Sequence, residues 1–259
     1  MHRPIPSCEV SLVDDTALGR SARLLDAACR EPLRFSQAQA LLGGLAPSSL
    51  NRLLKNMLAL GMLERDDDGH YVLGPRLARW QRQQDRDLRN LAAATLDTLT
   101  NELHVTSSVW TRVGNDLACL DRRLDESSPA LSEPGSVRPL RFPVVGAPIF
   151  MDEGELADDR TILTHLRRQG MSVPLSMIKR IVVEYRRSGY IDDNGAFFCG
   201  VRRFAAPVRV QGEPVAAIGL GVSHARARDD EFRNLLVRRL TEECRALERQ
   251  LNTEPIACS

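Results

Sequence analysis

The chain has 259 residues, enough for two modest domains or one large one. Hydrophobic residues make up 43% and charged residues 27%, which excludes a disordered polar chain. Lys plus Arg number 35 against 34 Asp plus Glu, so the net charge of +1 provides no overall basic field for nucleic acid. The longest apolar run, Phe142 to Met151, contains Pro and Gly and is too short to span a bilayer. The N-terminus has no apolar core of a secretory signal. Six cysteines show no metal spacing and no paired Cys-x-x-Cys, so they are expected as reduced thiols filling core space in a cytoplasmic protein, with no metal and no cofactor.

Residues 1–14 contain Pro and no periodic pattern, and are expected as a loose tail. Thr16 can cap a first helix whose Leu18, Leu25, Ala28 and Cys29 would face a small core. Phe35 to Gly44 is a short helix pattern closed by two glycines, and Ser36 can cap its start. A longer helix follows, with Pro47 near its first turn and Gly61 past its end. Its Leu50, Leu53, Leu54, Met57 and Leu60 repeat at the spacing of one buried face. Met62 to Leu73 is two short apolar runs about an Asp68-Gly69 turn, a hairpin pattern. Helix, helix and hairpin in that order form a winged helix-turn-helix over residues 15–75, a device that sets one helix in a DNA groove.

The polar face of the longer helix carries Ser48, Ser49, Asn51, Arg52, Lys55 and Asn56, and no acid occurs from Pro47 to Leu63. Ser48, Ser49, Asn51 and Arg52 are candidates for base edges, and Lys55 for phosphate. Ser36 and Gln37 would lie near the DNA backbone at the start of the preceding helix. Asp66, Asp67 and Asp68 would repel phosphate at the hairpin tip, which leaves Arg65 and His70 on its flanks. From Thr16 to Asn90 there are 12 Lys plus Arg against 8 Asp plus Glu, a mild basic bias.

After Gly74-Pro75, residues 76–90 read as a helical connector, polar and free of Gly and Pro. It runs into a stripe of Leu88, Ala92, Leu96, Leu99 and Leu103. A matching stripe, Phe232, Leu236, Leu240, Cys244, Leu247 and Leu251, closes the chain, so the two helices should pack side by side. Between them lie strand patterns at 106–113, 117–122, 204–210 and 215–222, and helix patterns at 159–169 and 174–187. Paired strands with blocks of helix predict an α+β domain over 91–252 around an antiparallel sheet, with a tail at 253–259.

The segments Thr16–Ala27 (TALGRSARLLDA), Phe35–Leu42 (FSQAQALL), Ser48–Leu54 (SSLNRLL) and Leu60–Gly74 (LGMLERDDDGHYVLG) resemble the IclR family of bacterial transcription regulators. Val113–Leu124 (VGNDLACLDRRL), Tyr185–Asp193 (YRRSGYIDD), Gly200–Val208 (GVRRFAAPV) and Val215–Leu220 (VAAIGL) extend the resemblance over residues 16 to 250. It implies a GAF-like effector domain whose small ligand alters affinity for a double-stranded DNA operator. It also implies self-association as a dimer or tetramer through the N-terminal domain, for which Leu77, Trp80 and Leu88 are candidate contacts.

Matched position by position, the family's effector pocket falls on Val144 and Val145, on Asp193 and Arg203, and on Gly219 and Gly221. Where small-acid binders of the family carry Cys and two Ser, this chain has Arg203 and the two glycines; Arg141 stands where the family often has His. These departures imply an anionic effector larger than a two- or three-carbon acid, such as an aromatic acid or a dicarboxylate. Alternatively Arg203 pairs with Asp192, Asp193 or Asp121, and the glycines mark a bulge. Pro143 and Pro148 interrupt a segment that relatives keep as a continuous helix. No hydrolase, nucleotide or zinc-protease motif occurs, so catalysis is not expected. Two alternatives remain: a sensing or interaction module that has lost DNA affinity, and a thiol enzyme built on Cys199 and Cys119.

Overall fold

The computed structural model describes residues 16–129, 132–140, 142, 144–151 and 174–253. The expected tail at 1–14, the helix pattern at 159–169, Arg141, Pro143 and residues 254–259 lie outside the described residues. The chain forms two compact units that divide between Gln83 and Gln84.

In the first unit, Thr16 Oγ1 accepts from Gly19 N at 3.0 Å and starts α1, Ala17–Arg30. The buried stripe of α1 is Leu24 and Ala28, one turn apart, with Leu25 half-buried beside it. Leu18, 78% exposed, and Cys29 face outward, against the expectation, because they lie off the Leu24–Ala28 line on the helix wheel. Helix α2, Phe35–Leu41, ends at Gly43 and Gly44, whose φ values of 54° and 93° turn the chain. Its N-cap is Arg34, whose backbone N–H donates to Gln37 Oε1 at 2.7 Å. Ser36 therefore sits inside the first turn and is not the cap that the sequence suggested.

Helix α3, Pro47–Ala59, buries Leu50, Leu54 and Met57, with Leu53 half-buried. Leu60, the C-cap residue, is 51% exposed, because the helix stops at Ala59. Strands β1, Leu63–Arg65, and β2, Tyr71–Leu73, form the wing, with Leu33 bridging to Tyr71 as a short third rung. Leu24, Ala38, Leu42, Leu50, Leu54, Leu63 and Tyr71 meet in one core.

Helix α4 runs unbroken from Pro75 to Leu103, from the first unit into the second. The second unit is a six-stranded antiparallel sheet in the order β5-β4-β3-β8-β7-β6. The strands are β3, Thr106–Val113; β4, Asp116–Arg123; β5, Val137–Pro139; β6, Ile191–Asp192; β7, Val201–Val210; and β8, Glu213–Ser223. Val109 on β3, Val105 just before that strand, and the alternating Ala216, Ile218 and Leu220 on β8 pack one face against α4 and the last helix, α7, Asp230–Thr253. Leu88 is buried in this core, so it is an intramolecular contact and unavailable to a second chain. Arg239 on α7 bonds Glu102 on α4 at 2.6 Å, and Arg226 donates to the Leu103 and His104 carbonyls at the end of α4.

The opposite sheet face is covered by Phe142 and residues 144–151, including the short α5, Ala147–Phe150, and by α6, Leu175–Ser188. Strands β5 and β6 and helix α5 were not expected, because each is too short to set up a period. Cys119 and Cys244 fill core space as expected, and burial pushes the Cys119 thiol up to about 11. Cys199 is exposed, against that expectation, because it sits in the turn before β7. Among the described residues no helix is long and apolar enough to cross a membrane.

Candidate functional site

Two places carry functional side chains, one in each unit. On α3, burying Leu50, Leu54 and Met57 leaves the opposite face with Ser48, Asn51, Arg52, Lys55 and Asn56 exposed and Ser49 half-exposed. The first turn has no side-chain cap, since the N-cap is Ala46 and Pro47 follows it, so Ser48 and Ser49 stand at an uncapped helix start. Ser36 and Gln37 are exposed on α2, and Gln37 is already engaged in the backbone bond from Arg34.

The wing residues behave differently. Arg65 folds back over the Tyr71 ring, 4.8 Å from its centroid, and its Nη2 donates to Tyr71 Oη at 2.7 Å. His70 accepts from Arg34 Nε at 3.1 Å, and its Nδ1 lies 3.4 Å from Asp66 Oδ2. Asp66 builds the turn, its Oδ1 accepting from the backbone of Asp68 and His70 at 3.1 and 2.8 Å. The acids at the tip thus have a conformational reason, and Arg65 and His70 are held within the unit.

In the second unit, a cavity of about 540 Å³ lies against the sheet face opposite α4 and α7. Trp110 and Ser108 from β3, Gly219 from β8, Arg203 from β7 and Val144 and Val145 from the covering segment form its wall. Arg138, Phe142, Phe198 and Cys199 contribute further side chains. Gly219 keeps the wall close: a Cβ there would lie 3.2 Å from Val145 Cγ1 and 3.3 Å from Ser108 Oγ. Gly219→Ala is therefore expected to cost about 1 kcal/mol, a fall of about 2–4 °C in melting temperature. A rise instead would mean that the methyl fills vacant space. Gly219 and Gly221 sit in regular ladder pairs, and the register shifts lie elsewhere, at Val109/Trp110 and Val208/Arg209.

Arg203 has two engagements that explain its burial. Its Nε donates to Asp193 Oδ2 at 2.9 Å, and Asp193 Oδ1 accepts from the Arg203 and Gly195 backbones at 2.8 and 2.9 Å. Phe142, Phe197 and Phe198 surround the guanidinium with ring centroids at 5.0, 5.5 and 4.6 Å. Burial pulls its pKa below the ordinary arginine value, against the attraction of Asp193. Of the pairings open in the sequence, Asp193 is the one formed, while neighbouring Arg202 pairs with Asp192 at 2.6 Å. Adjacent residues of a strand point to opposite faces, so the two consecutive pairs separate. Asp193 thus reaches the site through Arg203, and Gly221, paired with Arg203, does not line the cavity. The sequence did not mark Arg138, Ser132, Trp110 or Phe198, because they come to the cavity from separate strands and turns.

No protein-family model matches the chain, and no curated protein matches it. Solved structures do. The repressor BlcR of Agobacterium tumefaciens is 24% identical over 92% of this chain and 98% of that one, with a TM-score of 0.54. The Thermotoga maritima IclR is 22% identical over 91% and 98%, with a TM-score of 0.55. An IclR homolog from Microbacterium hydrocarbonoxydans, complexed with 4-hydroxybenzoate, is 19% identical over 92% and 100%, with a TM-score of 0.53. Along nearly its whole length, this chain has the fold of the IclR-type transcription regulators.

Proposed function

We propose that the protein is a sequence-specific DNA-binding transcription regulator of IclR type, whose affinity for its operator is modulated by a small anionic metabolite held in the cavity of the second unit. The observation that carries this reading is the exposed, acid-free face of α3, with Ser48, Asn51, Arg52 and Lys55 on the second helix of a winged helix-turn-helix. Arg52 and Asn51 supply the groups that pair with base edges in the major groove, and Lys55 reaches phosphate. The cavity size suits a metabolite, and the likeness to a regulator complexed with 4-hydroxybenzoate supports an aromatic acid among the candidates. Among the described residues of the first unit, exposed Leu18, Leu60 and Trp80 are apolar groups available for self-association.

Arg52→Ala is expected to weaken binding to the preferred duplex by about 1–3 kcal/mol while leaving random DNA almost unaffected. Anisotropy titrations on both duplexes check this, and equal losses on the two would remove Arg52 from base reading. The engagement of Arg65 by Tyr71 and of His70 by Arg34 favours a second reading, a sensing module without DNA affinity. Salt separates the two, since phosphate contacts impose a steep fall in affinity with ionic strength.

A further inference from the structure

Leu33 and Tyr71 exchange two backbone hydrogen bonds, Leu33 N to Tyr71 O at 2.9 Å and Tyr71 N to Leu33 O at 2.7 Å. In an antiparallel pairing, the residue after one partner stands opposite the residue before the other. Arg34, at the start of α2, therefore faces His70 of the wing, and its Nε donates to His70 Nε2 at 3.1 Å.

 That contact fixes the state of the imidazole. A guanidinium only donates, so Nε2 is the accepting nitrogen and the proton of the neutral ring sits on Nδ1. Nδ1 lies 3.4 Å from Asp66 Oδ2, and ligand atoms of Asp66, Asp68 and His70 all lie within 4.8 Å of one another. The charged groups against His70 are thus Asp66 and Asp68 from the wing itself and Arg34 from the start of α2. Arg65, the other cation of the wing, is turned onto Tyr71.

Histidine side chains change charge between about pH 5 and 8. A proton added to His70 Nε2 turns the acceptor into a donor aimed at the Arg34 Nε–H, and sets two positive charges side by side, so the bond is lost. Asp66 and Asp68 hold the imidazolium on the wing by charge. The Arg34 backbone is also held, its N–H donating to Gln37 Oε1 at 2.7 Å. The exposed Arg34 guanidinium is therefore the group that moves. It stands beside exposed Ser36 and Gln37, the expected neighbours of the DNA backbone.

We propose that the Arg34–His70 contact is a proton-operated latch on a phosphate-binding arginine. With His70 neutral, Arg34 is held on the wing. With His70 protonated, Arg34 is released and both cations bind phosphates of the duplex, offsetting the acids at the wing tip. This inference rests on the proposed DNA-binding role of the first unit.

Phosphate contacts carry no base information, so a random-sequence duplex serves as the probe. Anisotropy titrations of the full chain, His70→Gln and Arg34→Ala at about pH 5.5 and about pH 8, each at two salt concentrations, test the latch. The parent should bind at least about fivefold more tightly at the lower pH, with a slope of log affinity against log salt steeper by about 1–2. His70→Gln keeps an acceptor for Arg34 but takes no proton, so its affinity should change by less than about twofold. The other histidines titrate in both proteins, so the difference between the two belongs to His70. Arg34→Ala should keep about half of the gain in slope. Without DNA, the NMR signal of the Arg34 Nε–H should shift together with the His70 ring signals as pH falls. An equal gain in the parent and His70→Gln, or an Arg34 signal that stays fixed while His70 titrates, would overturn the proposal. A fixed Arg34 signal with DNA binding intact counts against the latch alone. No DNA binding at either pH, with an Arg34 signal that follows His70, removes the DNA-binding reading and the phosphate contact with it, but not the latch.

Discussion

Asp193→Ala is expected to destabilise the second unit by about 3–5 kcal/mol. The Asp193 side chain is fully buried and Arg203 is 8% exposed, so removing the carboxylate leaves a guanidinium away from water with no counter-charge. It also strands the backbone N–H groups of Arg203 and Gly195, which both donate to Asp193 Oδ1. The three phenylalanine rings around Arg203 offset only part of this, since a cation over a ring contributes about 0.5–2 kcal/mol. Denaturant titration gives the cost directly. A loss below about 1 kcal/mol would mean that Arg203 swings out to solvent.

Leu54→Ala should cost the first unit about 3–5 kcal/mol. Leu54 is wholly buried in a core of ten buried apolar residues, so little material is available to collapse into the void. DNA binding should be lost although Leu54 lies on the buried face of α3, because the helix no longer holds its polar face in place. Calorimetry should show a transition lowered for the first unit and unchanged heat for the second. Retained DNA affinity at the parent level would contradict this role for the core.

The winged helix-turn-helix was legible because its signals are local. Thr16, the Gly43-Gly44 pair, Pro47, Gly61 and Asp68-Gly69 each act within a few residues, and the leucines of α3 show one period. The phase of α1 was harder: Leu24 and Leu25 are adjacent, both apolar, and only the packing decides which is buried. The four long strands were legible from alternation, whereas β5 and β6 depend on pairing partners far along the chain. Within the cavity, Val144, Val145, Arg203 and Gly219 were reached through the family resemblance. Arg138 and Phe198 were not, since their place follows from turns whose paths no short pattern fixes. The Asp193–Arg203 pair was one of several that the sequence allowed, and β6–β7 register selects it.

On the proposed function, α3 reads DNA sequence. Selection of duplexes from a random-sequence pool by the purified full chain, followed by sequencing, tests it most directly, because it assumes no operator. Enrichment of one defined motif is expected, bound more weakly as salt rises and lost when Arg52 and Lys55 are both replaced by Glu. A recovered pool indistinguishable from the input would contradict it.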